Sequence, residues 1–582
     1  MTRRHLLPQT LLAALLGHAF LPAQQTTAPT AHADLAARIL EEGLERSHVM
    51  RFQDELCHDY GSRLTGSLAF DRAADWAVEQ FRAMGLEARL VPWGEWKVGW
   101  DREQWTGRMV APDEFELQVA SVAWTAPTKG QARGYLVAVP KDDEQLKALQ
   151  ERVAGDEQFW LWGPLPRGDK TEALRDAVQQ LLDRDNVHGL VQSATSTGWN
   201  DKKYPNQIRV FGSRTAGLVP YEDRQKWAHA VVRDDQSERI EQALAGDLPV
   251  ELELELRNRW RKGPVVLNNV VADLVGSEFP DEYVIVCAHL DSWHQATGAT
   301  DNGTGTCSTL ECARILTKIG FKPKRTLRFI LWGGEEQGLL GSRQFVVQNR
   351  SRMHDVSAVF NHDSGTNWAF SLQVAKSHEA DFAALVAPLL GMTPPEADHE
   401  GPAFALDVVD VMKPAGGGSD HASFAAVGVP AFSWRLKGPV PYGRGWHSQW
   451  DTYSIVRPDF QRHNATVFAV LAAGVAGLDH MLSRDGVERA SAGGRGGIDA
   501  QLIVETWLGV ELDGMTVKEA PKGGLAAKNG LVAGERIVSL AGTEAADAPS
   551  LLATLRNLAA QDGVGELVVE HNGERRTLTL RL

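Results

Sequence analysis

The chain has 582 residues, of which 43% are apolar and 23% charged, a balance typical of a soluble globular protein and unlike a disordered, collagen-like or coiled-coil chain. Lys and Arg number 60 against 75 Asp and Glu, so the net charge is −15 and nucleic acid is not expected as a partner. The four cysteines lack the spacing of a disulfide framework or a structural zinc site. Any catalytic metal must therefore be bound by His and carboxylate side chains.

The N-terminus has the parts of an export signal. Arg3 and Arg4 precede a mostly apolar run over residues 6–21, and a polar tract follows Ala23. The run is too short and too interrupted to span a bilayer. We therefore predict a signal peptide over residues 1–23, an exported (periplasmic or secreted) mature protein, and no membrane span.

The middle of the chain predicts one α/β domain with an insertion. Residues 33–84 show helical spacing, and strands alternate regularly with helices over 264–480, which indicates a mostly parallel sheet flanked by helices. Residues 114–262 show short strands, loops and helices instead. We assign 31–113 and 263–482 to the main domain and 114–262 to an inserted α+β domain.

The C-terminal part predicts a separate small domain. A Gly-rich stretch gives a linker over residues 483–498, and the domain itself covers 499–582. We expect strands over 502–512, 515–519, 536–540, 566–570 and 577–582, and a helix over 549–560.

Metal-type ligands follow the strands of the main domain. In chain order these are His289 and Asp291 after a strand over 283–288, Asp301 before a helix, Glu335 and Glu336 after a strand over 326–332, Asp363 after a strand over 356–360, and His447 in a later loop. Because ligands bind at the carboxyl ends of strands in open α/β sheets, we expect the side chains that follow the three strands to share one crevice. Two His and several carboxylates suit zinc with an open position for water.

Spacing suggests different roles within this set. Asp291 stands two residues after His289. This spacing suits a carboxylate that orients the neighbouring imidazole without itself binding the metal. Of the pair Glu335 and Glu336, one can bind metal while the other takes a proton from a metal-bound water. Three further histidines of this region, His294, His362 and His399, are expected to be structural.

These motifs resemble those of the co-catalytic zinc exopeptidases that include aminopeptidase S, aminopeptidase Y and carboxypeptidase Q. The resemblance covers about residues 33–480, and the segments 288–293, 325–328 and 335–338 are most similar to the carboxypeptidase Q branch. It implies two Zn²⁺ ions bridged by Asp301, with His289 and Asp363 completing one site, Glu336 and His447 the other, and Glu335 as general base.

The resemblance also implies neighbours of the metals. Asp451 is expected to orient a ligand, as Asp291 does. The substrate pocket is expected to include Ser419, Asp420, His421, Tyr442 and Trp446. Trp446 stands where several family members carry a Tyr that polarises the scissile carbonyl, so Tyr442 becomes the candidate for that role.

Two accessory domains complete the expected organisation. The insertion at 114–262 stands where relatives carry a protease-associated domain, so we expect a domain of that kind or a cap. Residues 499–582 are similar to bacterial PDZ domains, with Leu508, Gly509 and Val510 in the place of the loop that binds a peptide C-terminus.

The sequence thus predicts a zinc exopeptidase acting on peptide substrates, with aminopeptidase or dipeptidase activity favoured. Three alternatives stay open: carboxypeptidase Q-like activity, a glutaminyl cyclase with one zinc ion, and a non-catalytic peptide-binding receptor. The first differs only in which end of the peptide is recognised. The last would require lost ligands, and the sequence retains all five.

Overall fold

The structure, a computed structural model, describes residues 28–198, 203–396, 399–414, 418–491 and 499–582, with side chains of the first helix described from residue 32. The predicted signal peptide and residues 492–498 of the predicted linker lie outside these ranges. Within them, no helix is both long and apolar enough to cross a membrane.

A large mixed sheet runs through the main and inserted parts. Its strands are β1 (Glu87–Ala111), β2 (Phe115–Glu116), β3 (Val119–Ser121), β4 (Ala132–Ala138), β5 (Phe159–Trp162), β6 (Val187–Ser193), β7 (Ala228–Val232), β8 (Glu251–Leu274), β9 (Phe279–His289), β10 (Arg325–Trp332), β11 (Val356–Asn361), β12 (Trp368–Ala375), β13 (Ala405–Val409) and β14 (Ala431–Lys437). The helices of these parts are α1 (Ala28–Glu45), α2 (Val49–Glu55), α3 (Leu68–Ala83), α4 (Asp143–Arg152), α5 (Glu172–Leu182), α6 (Asp234–Ala245), α7 (Thr304–Lys318), α8 (Leu340–Gln348), α9 (Glu379–Val386), α10 (His421–Ala425), α11 (Tyr442–Gly445) and α12 (Pro458–Ala476).

The main part confirms the predicted fold class. Strands β10, β9, β11 and β14 are parallel neighbours, so their carboxyl ends lie at one edge of the sheet. Strand β9 alternates between two apolar layers. Val284 and Val286 pack with α1, α2, α3, α7 and α12, whereas Ile285 and Cys287 pack with α8 and α10. Helices therefore cover both faces, as the continuous apolar runs of these strands predict.

Two long strands connect the main and inserted parts. β1 and β8 pair antiparallel along most of their length; β8 joins β10 at its carboxyl end and β4 at its amino end. The predicted boundary between residues 262 and 263 therefore falls inside β8. Beyond it, β4 to β7 continue the same sheet as parallel neighbours, and residues of α4 to α6 pack with them. The domain assignment stays a prediction, although one sheet runs across its boundary.

The C-terminal part forms a second sheet. It contains β15 (Glu511–Asp513), β16 (Thr516–Glu519), β17 (Arg536–Leu540), β18 (Thr543–Glu544), β19 (Val564–His571) and β20 (Glu574–Arg581), with α13 (Ala500–Leu508), α14 (Leu525–Lys528) and α15 (Ala548–Ala559). Its own apolar core includes residues from both α13 and α15.

One predicted element of this part is wrong. Residues 502–512 were expected to be a strand, but most of them form helix α13. The Asp499 side chain accepts a hydrogen bond from the Leu502 amide and so caps the helix. Gly509 ends the helix with a left-handed backbone (φ 67°). Capping at both ends thus overrides the strand propensity of the apolar residues between them.

Candidate metal centre

The ends of parallel strands bring the predicted ligands together. His289 is the last residue of β9, Glu335 and Glu336 follow β10, and Asp363 follows β11. Because β9 lies between β10 and β11, these side chains converge at one edge of the sheet.

Two further residues reach the same place from loops. Asp301 lies in a kinked turn, Ala299–Gly303, directly before α7, and its own backbone is not helical (φ −125°, ψ 90°). His447 follows the short helix α11. All five predicted metal ligands therefore border one buried site.

The short distances form two groups that share Asp301. His289 Nε2 lies 3.2 Å from Asp301 Oδ1 and 3.3 Å from Asp363 Oδ1. His447 Nε2 lies 2.9 Å from both Asp301 Oδ2 and Glu336 Oε2. The two oxygens of Asp301 thus face two different histidines, an arrangement that suits a carboxylate shared by two ions.

The chemistry of this donor set fits zinc. The atoms His289 Nε2, Asp301 Oδ2 and Asp363 Oδ1 are buried and, within the described residues, make no hydrogen bond of acceptable geometry. Buried polar atoms are normally paired, so buried nitrogen and carboxylate atoms without a hydrogen bond in these two groups fit the ligands of cations. Imidazole nitrogen with carboxylate oxygen is a ligand set of catalytic zinc sites.

The charges of the site favour cations as well. Burial alone would lower the pKa of both imidazoles, but the carboxylate of Asp363 raises the pKa of His289 well above its usual value. The charge of Glu336 likewise raises the pKa of His447 to about 9. Burial raises the pKa of Glu336 to about 7. In the metal-free protein, bound protons therefore neutralise part of the negative charge of these carboxylates.

Asp291 acts differently from what its spacing suggested. His289 Nδ1 lies 2.9 Å from the backbone carbonyl of Asp291, whereas the Asp291 carboxylate is 3.7 Å away. That carboxylate accepts hydrogen bonds from the backbone amides of Glu335 and Glu336, both at 3.2 Å, and from the Thr65 hydroxyl at 2.9 Å. Asp291 therefore orients the imidazole through its backbone and the turn with the two glutamates through its side chain.

Asp451 holds the turn that presents Asp301. Its Oδ1 accepts hydrogen bonds from the Thr300 amide at 2.6 Å and the Thr300 hydroxyl at 2.8 Å, and its Oδ2 accepts one from the Asp301 amide at 3.1 Å. Burial raises the pKa of Asp451 to about 6. It fixes the position of Asp301, in line with its expected role as an orienting residue.

Glu335 differs from Glu336 in its surroundings. Its side chain is only half-buried and takes no part in the two short-distance groups around Asp301. Burial of the carboxyl group, with the charges of Asp363 and Glu336, raises the pKa of Glu335 well above its usual value. A carboxylate with a raised pKa is a stronger base than an ordinary one, which suits a group that takes a proton from water and then releases it.

The predicted pocket residues divide into two sets. Ser419 and Asp420 are buried and offer no pocket surface in this conformation, and the Ser419 hydroxyl accepts a hydrogen bond from Asn361 at the end of β11. His421 is half-buried, and burial lowers its pKa to about 4. Trp446 stacks on His447, with ring centroids 4.0 Å apart. The Tyr442 hydroxyl, whose pKa burial and the nearby carboxylates raise, lies close to the ligand set.

The histidines expected to be structural stand apart from the ligand set. His294 Nε2 lies 2.8 Å from the Ser121 carbonyl, and burial lowers its pKa to about 3. His362 packs against Phe468, and burial lowers its pKa to about 4. His399 contacts Lys437 and Trp368.

Several residues that border the site were missed by sequence reasoning. The Trp293 amide lies 3.3 Å from Glu336 Oε1. The buried guanidinium of Arg63 donates to the carbonyls of Leu290, Thr297 and Gly298, and so ties together the loop after β9. Gln207 and Phe211 reach the site from the inserted part. Trp293 is the last residue of the segment 288–293, but sequence reasoning assigned it no separate role; the others carry no local signal.

Comparisons with known proteins identify the family to which this chain is similar. The model of Peptidase family M28 matches residues 269–472. Carboxypeptidase Q from Bos taurus is 33% identical over 429 residues, which cover 73% of this chain and 84% of the bovine protein. Carboxypeptidase Q from Mus musculus is 27% identical over 432 residues, with the same coverage.

A solved structure shares the fold. The Peptidase M28 precursor from Shewanella amazonensis superposes with a TM-score of 0.54 at 22% identity, covering 78% of this chain and 99% of that one. These matches confirm the resemblance seen in the sequence and the enzyme class it implied, whereas the similarity of residues 499–582 to PDZ domains stays a prediction. The chain belongs to peptidase family M28.

Proposed function

We propose that this protein is an exopeptidase that hydrolyses peptide bonds at chain ends or in dipeptides with two Zn²⁺ ions. One observation carries the proposal: the two oxygens of Asp301 face His289 and His447 separately. One ion would be held by His289, Asp363 and Asp301, the other by His447, Glu336 and Asp301. When bound, such ions polarise the scissile carbonyl and lower the pKa of a coordinated water to about 7.

Glu335 is the proton carrier in this proposal. It lies at the same strand end as Glu336 but outside the two short-distance groups, and its raised pKa suits both taking and giving a proton. It accepts the proton of the attacking water and passes it to the leaving amine. The carboxylate of Asp291 fixes its backbone.

In this proposal Tyr442 stabilises the carbonyl oxygen of the scissile peptide bond, which gains negative charge when water attacks. Trp446 has no hydroxyl and packs its ring on His447, so it serves to orient that ligand. The phenol of Tyr442 is buried close to the ligand carboxylates and can donate to an oxyanion.

The charge around the site favours a substrate with a free amino group. Seven carboxylates surround the two imidazoles, and these are Asp291, Asp301, Glu335, Glu336, Asp363, Asp420 and Asp451. Because two divalent ions offset only four negative charges, the remainder attracts a protonated amino terminus. We therefore place aminopeptidase or dipeptidase activity first. Carboxypeptidase activity is the alternative, since the relatives are carboxypeptidase Q.

Peptide digestion with a mass readout tests this assignment. One peptide is supplied free, N-acetylated and C-amidated, together with a dipeptide and a peptide starting with Gln. We expect residues to be lost from the free amino terminus and the N-acetylated form to resist. Resistance of only the C-amidated form would support carboxypeptidase activity, and loss of ammonia from the Gln peptide would support a cyclase. No turnover by protein carrying two zinc ions would refute the proposal.

We propose two accessory properties. The basic start and apolar run of the N-terminus support export, which N-terminal sequencing tests, with a mature start near Gln24 expected. For the C-terminal part we propose peptide binding near Leu508, Gly509 and Val510. In this conformation the amides of Gly509 and Val510 donate to the Glu505 carbonyl, so a bound peptide carboxylate would have to replace that carbonyl. Calorimetric titration with free and C-amidated peptides tests it.

A further inference from the structure

The loop that carries His447 has little regular structure of its own. His447 has a left-handed backbone (φ 55°), which is costly for a residue with a side chain. Unlike His289, whose Nδ1 contacts a backbone carbonyl, His447 Nδ1 makes no hydrogen bond within the described residues. Something other than the usual imidazole hydrogen bond must therefore hold this side chain in place.

A segment of the inserted part binds this loop. The Gln207 side chain is fully buried, and its Nε2 donates to the carbonyls of Gly443 at 3.0 Å and Arg444 at 2.9 Å. The Gln449 side chain returns the contact: its Oε1 accepts from the Ile208 amide and its Nε2 donates to the Asn206 carbonyl, both at 2.8 Å. Four hydrogen bonds thus join residues 206–208 to the loop on both sides of His447.

Aromatic rings from the two parts then enclose the imidazole. The Phe211 ring packs edge-on against His447, with centroids 5.2 Å apart, and against Trp293 at 5.0 Å. Trp446 stacks on His447, and the Arg209 guanidinium lies 5.0 Å above the Trp446 ring. Ring packing therefore fixes an imidazole that lacks a hydrogen-bonded orienting partner.

We propose that residues 206–211, here called the clamp segment, position His447 for metal binding, with Gln207 as the principal positioning residue. The inference rests on the proposed function only in taking His447 as a metal ligand. In this view the insertion completes the second metal site, since its contacts hold both the backbone and the ring of that ligand.

Gln207→Glu tests the clamp segment without changing side-chain size. It replaces the amide donor by an acceptor that faces two carbonyls, so both hydrogen bonds are lost. Gln449→Glu is a milder second variant, since it keeps the acceptor for Ile208 and loses only the donor to Asn206. Gln236→Glu is the matched control, because Gln236 also joins two chain segments of the inserted part, by bonds to Gln118 and Glu116 outside the clamp segment.

Two readouts are measured on the full chain. Zinc affinity is measured by chelator competition, and we expect Gln207→Glu to weaken one of two sites about 10- to 100-fold, the usual effect of losing support around a ligand. Hydrogen–deuterium exchange of the metal-free protein over residues 441–452 should become faster in Gln207→Glu, less so in Gln449→Glu, and remain unchanged in Gln236→Glu.

The outcomes separate the clamp segment from the proposed function. Wild-type zinc affinity and wild-type exchange in Gln207→Glu would overturn the inference. Equal effects in Gln236→Glu would overturn it too, because a general loosening of the inserted part would then explain them. A wild-type protein that binds no zinc would refute the proposed function, while the exchange experiment would still decide whether the segment holds the loop.

Discussion

Asp291→Asn is the substitution that the geometry of the strand ends constrains most closely. The buried carboxylate accepts the amides of Glu335 and Glu336 through separate oxygens, each at 3.2 Å. An Asn side chain has one oxygen, so whichever way it turns, one of these amides faces an NH₂ group. Thr65 adapts, because its hydroxyl can either donate or accept.

The expected loss of stability follows from the loss of one acceptor oxygen. One charge-assisted hydrogen bond is lost and its buried amide is left without an acceptor, which should lower the free energy of unfolding by about 2 to 4 kcal/mol. Displacement of the glutamates should also reduce peptide turnover. Thr65→Val removes one hydrogen bond to the charged carboxylate and leaves both backbone amides paired, so it should cost about 1.5 to 3 kcal/mol.

Urea denaturation of the metal-free protein, followed by tryptophan fluorescence, measures these differences. The exposed Asp281→Asn serves as control and should stay within about 0.5 kcal/mol of wild type. If Asp291→Asn unfolded at the wild-type urea concentration and kept full turnover, the assigned role of Asp291 would be refuted.

Three further predictions concern the proton carrier, the metal ligands and the C-terminal part. Glu335→Gln should lower peptide turnover about 100- to 10,000-fold in steady-state assays, and elemental analysis should show that it keeps its zinc. If zinc were lost from Glu335→Gln and kept in Glu336→Gln, the roles of the two glutamates would be the reverse of those proposed. Because the pKa values of His447 and Glu336 are raised to about 9 and 7, both groups hold protons at pH 6 that zinc must displace. Zinc affinity, measured by chelator competition, should therefore rise from pH 6 to pH 8, and an affinity that does not change with pH would contradict this. Arg350 joins the C-terminal part to the main part, since its guanidinium lies 3.1 Å from Glu505 and 2.5 Å from Glu511. Arg350→Ala should speed proteolysis between the two parts and leave dipeptide turnover unchanged, whereas lost turnover would show that the C-terminal part supports the chemistry.

Strand periodicity explains why much of the fold and the ligand set could be predicted. Apolar runs that end in His289, Glu335 and Asp363 mark parallel strands, and parallel strands bring their carboxyl ends together. The structure places these side chains at one sheet edge. Asp301 and His447 lie in loops, so the sequence could name them as candidate ligands, but only the family resemblance could place them at the same site as the strand-end residues.

The remaining features depend on information that local patterns lack. The contact between Gln207 and Gly443 spans 236 residues, and no motif announces it. The extent of β8 across a predicted domain boundary is set by its pairing with β1. For residues 502–512, capping by Asp499 and Gly509 decided between helix and strand, and apolar content alone could not.

Whether Asp301 is shared by two zinc ions is tested most directly by counting zinc per chain with elemental analysis. The wild type should hold two ions, Asp363→Ala about one, and Asp301→Ala close to none, because neither ion then keeps the shared carboxylate. Circular dichroism and the unfolding midpoint confirm that each variant is folded. Two zinc ions retained by folded Asp301→Ala would contradict the account.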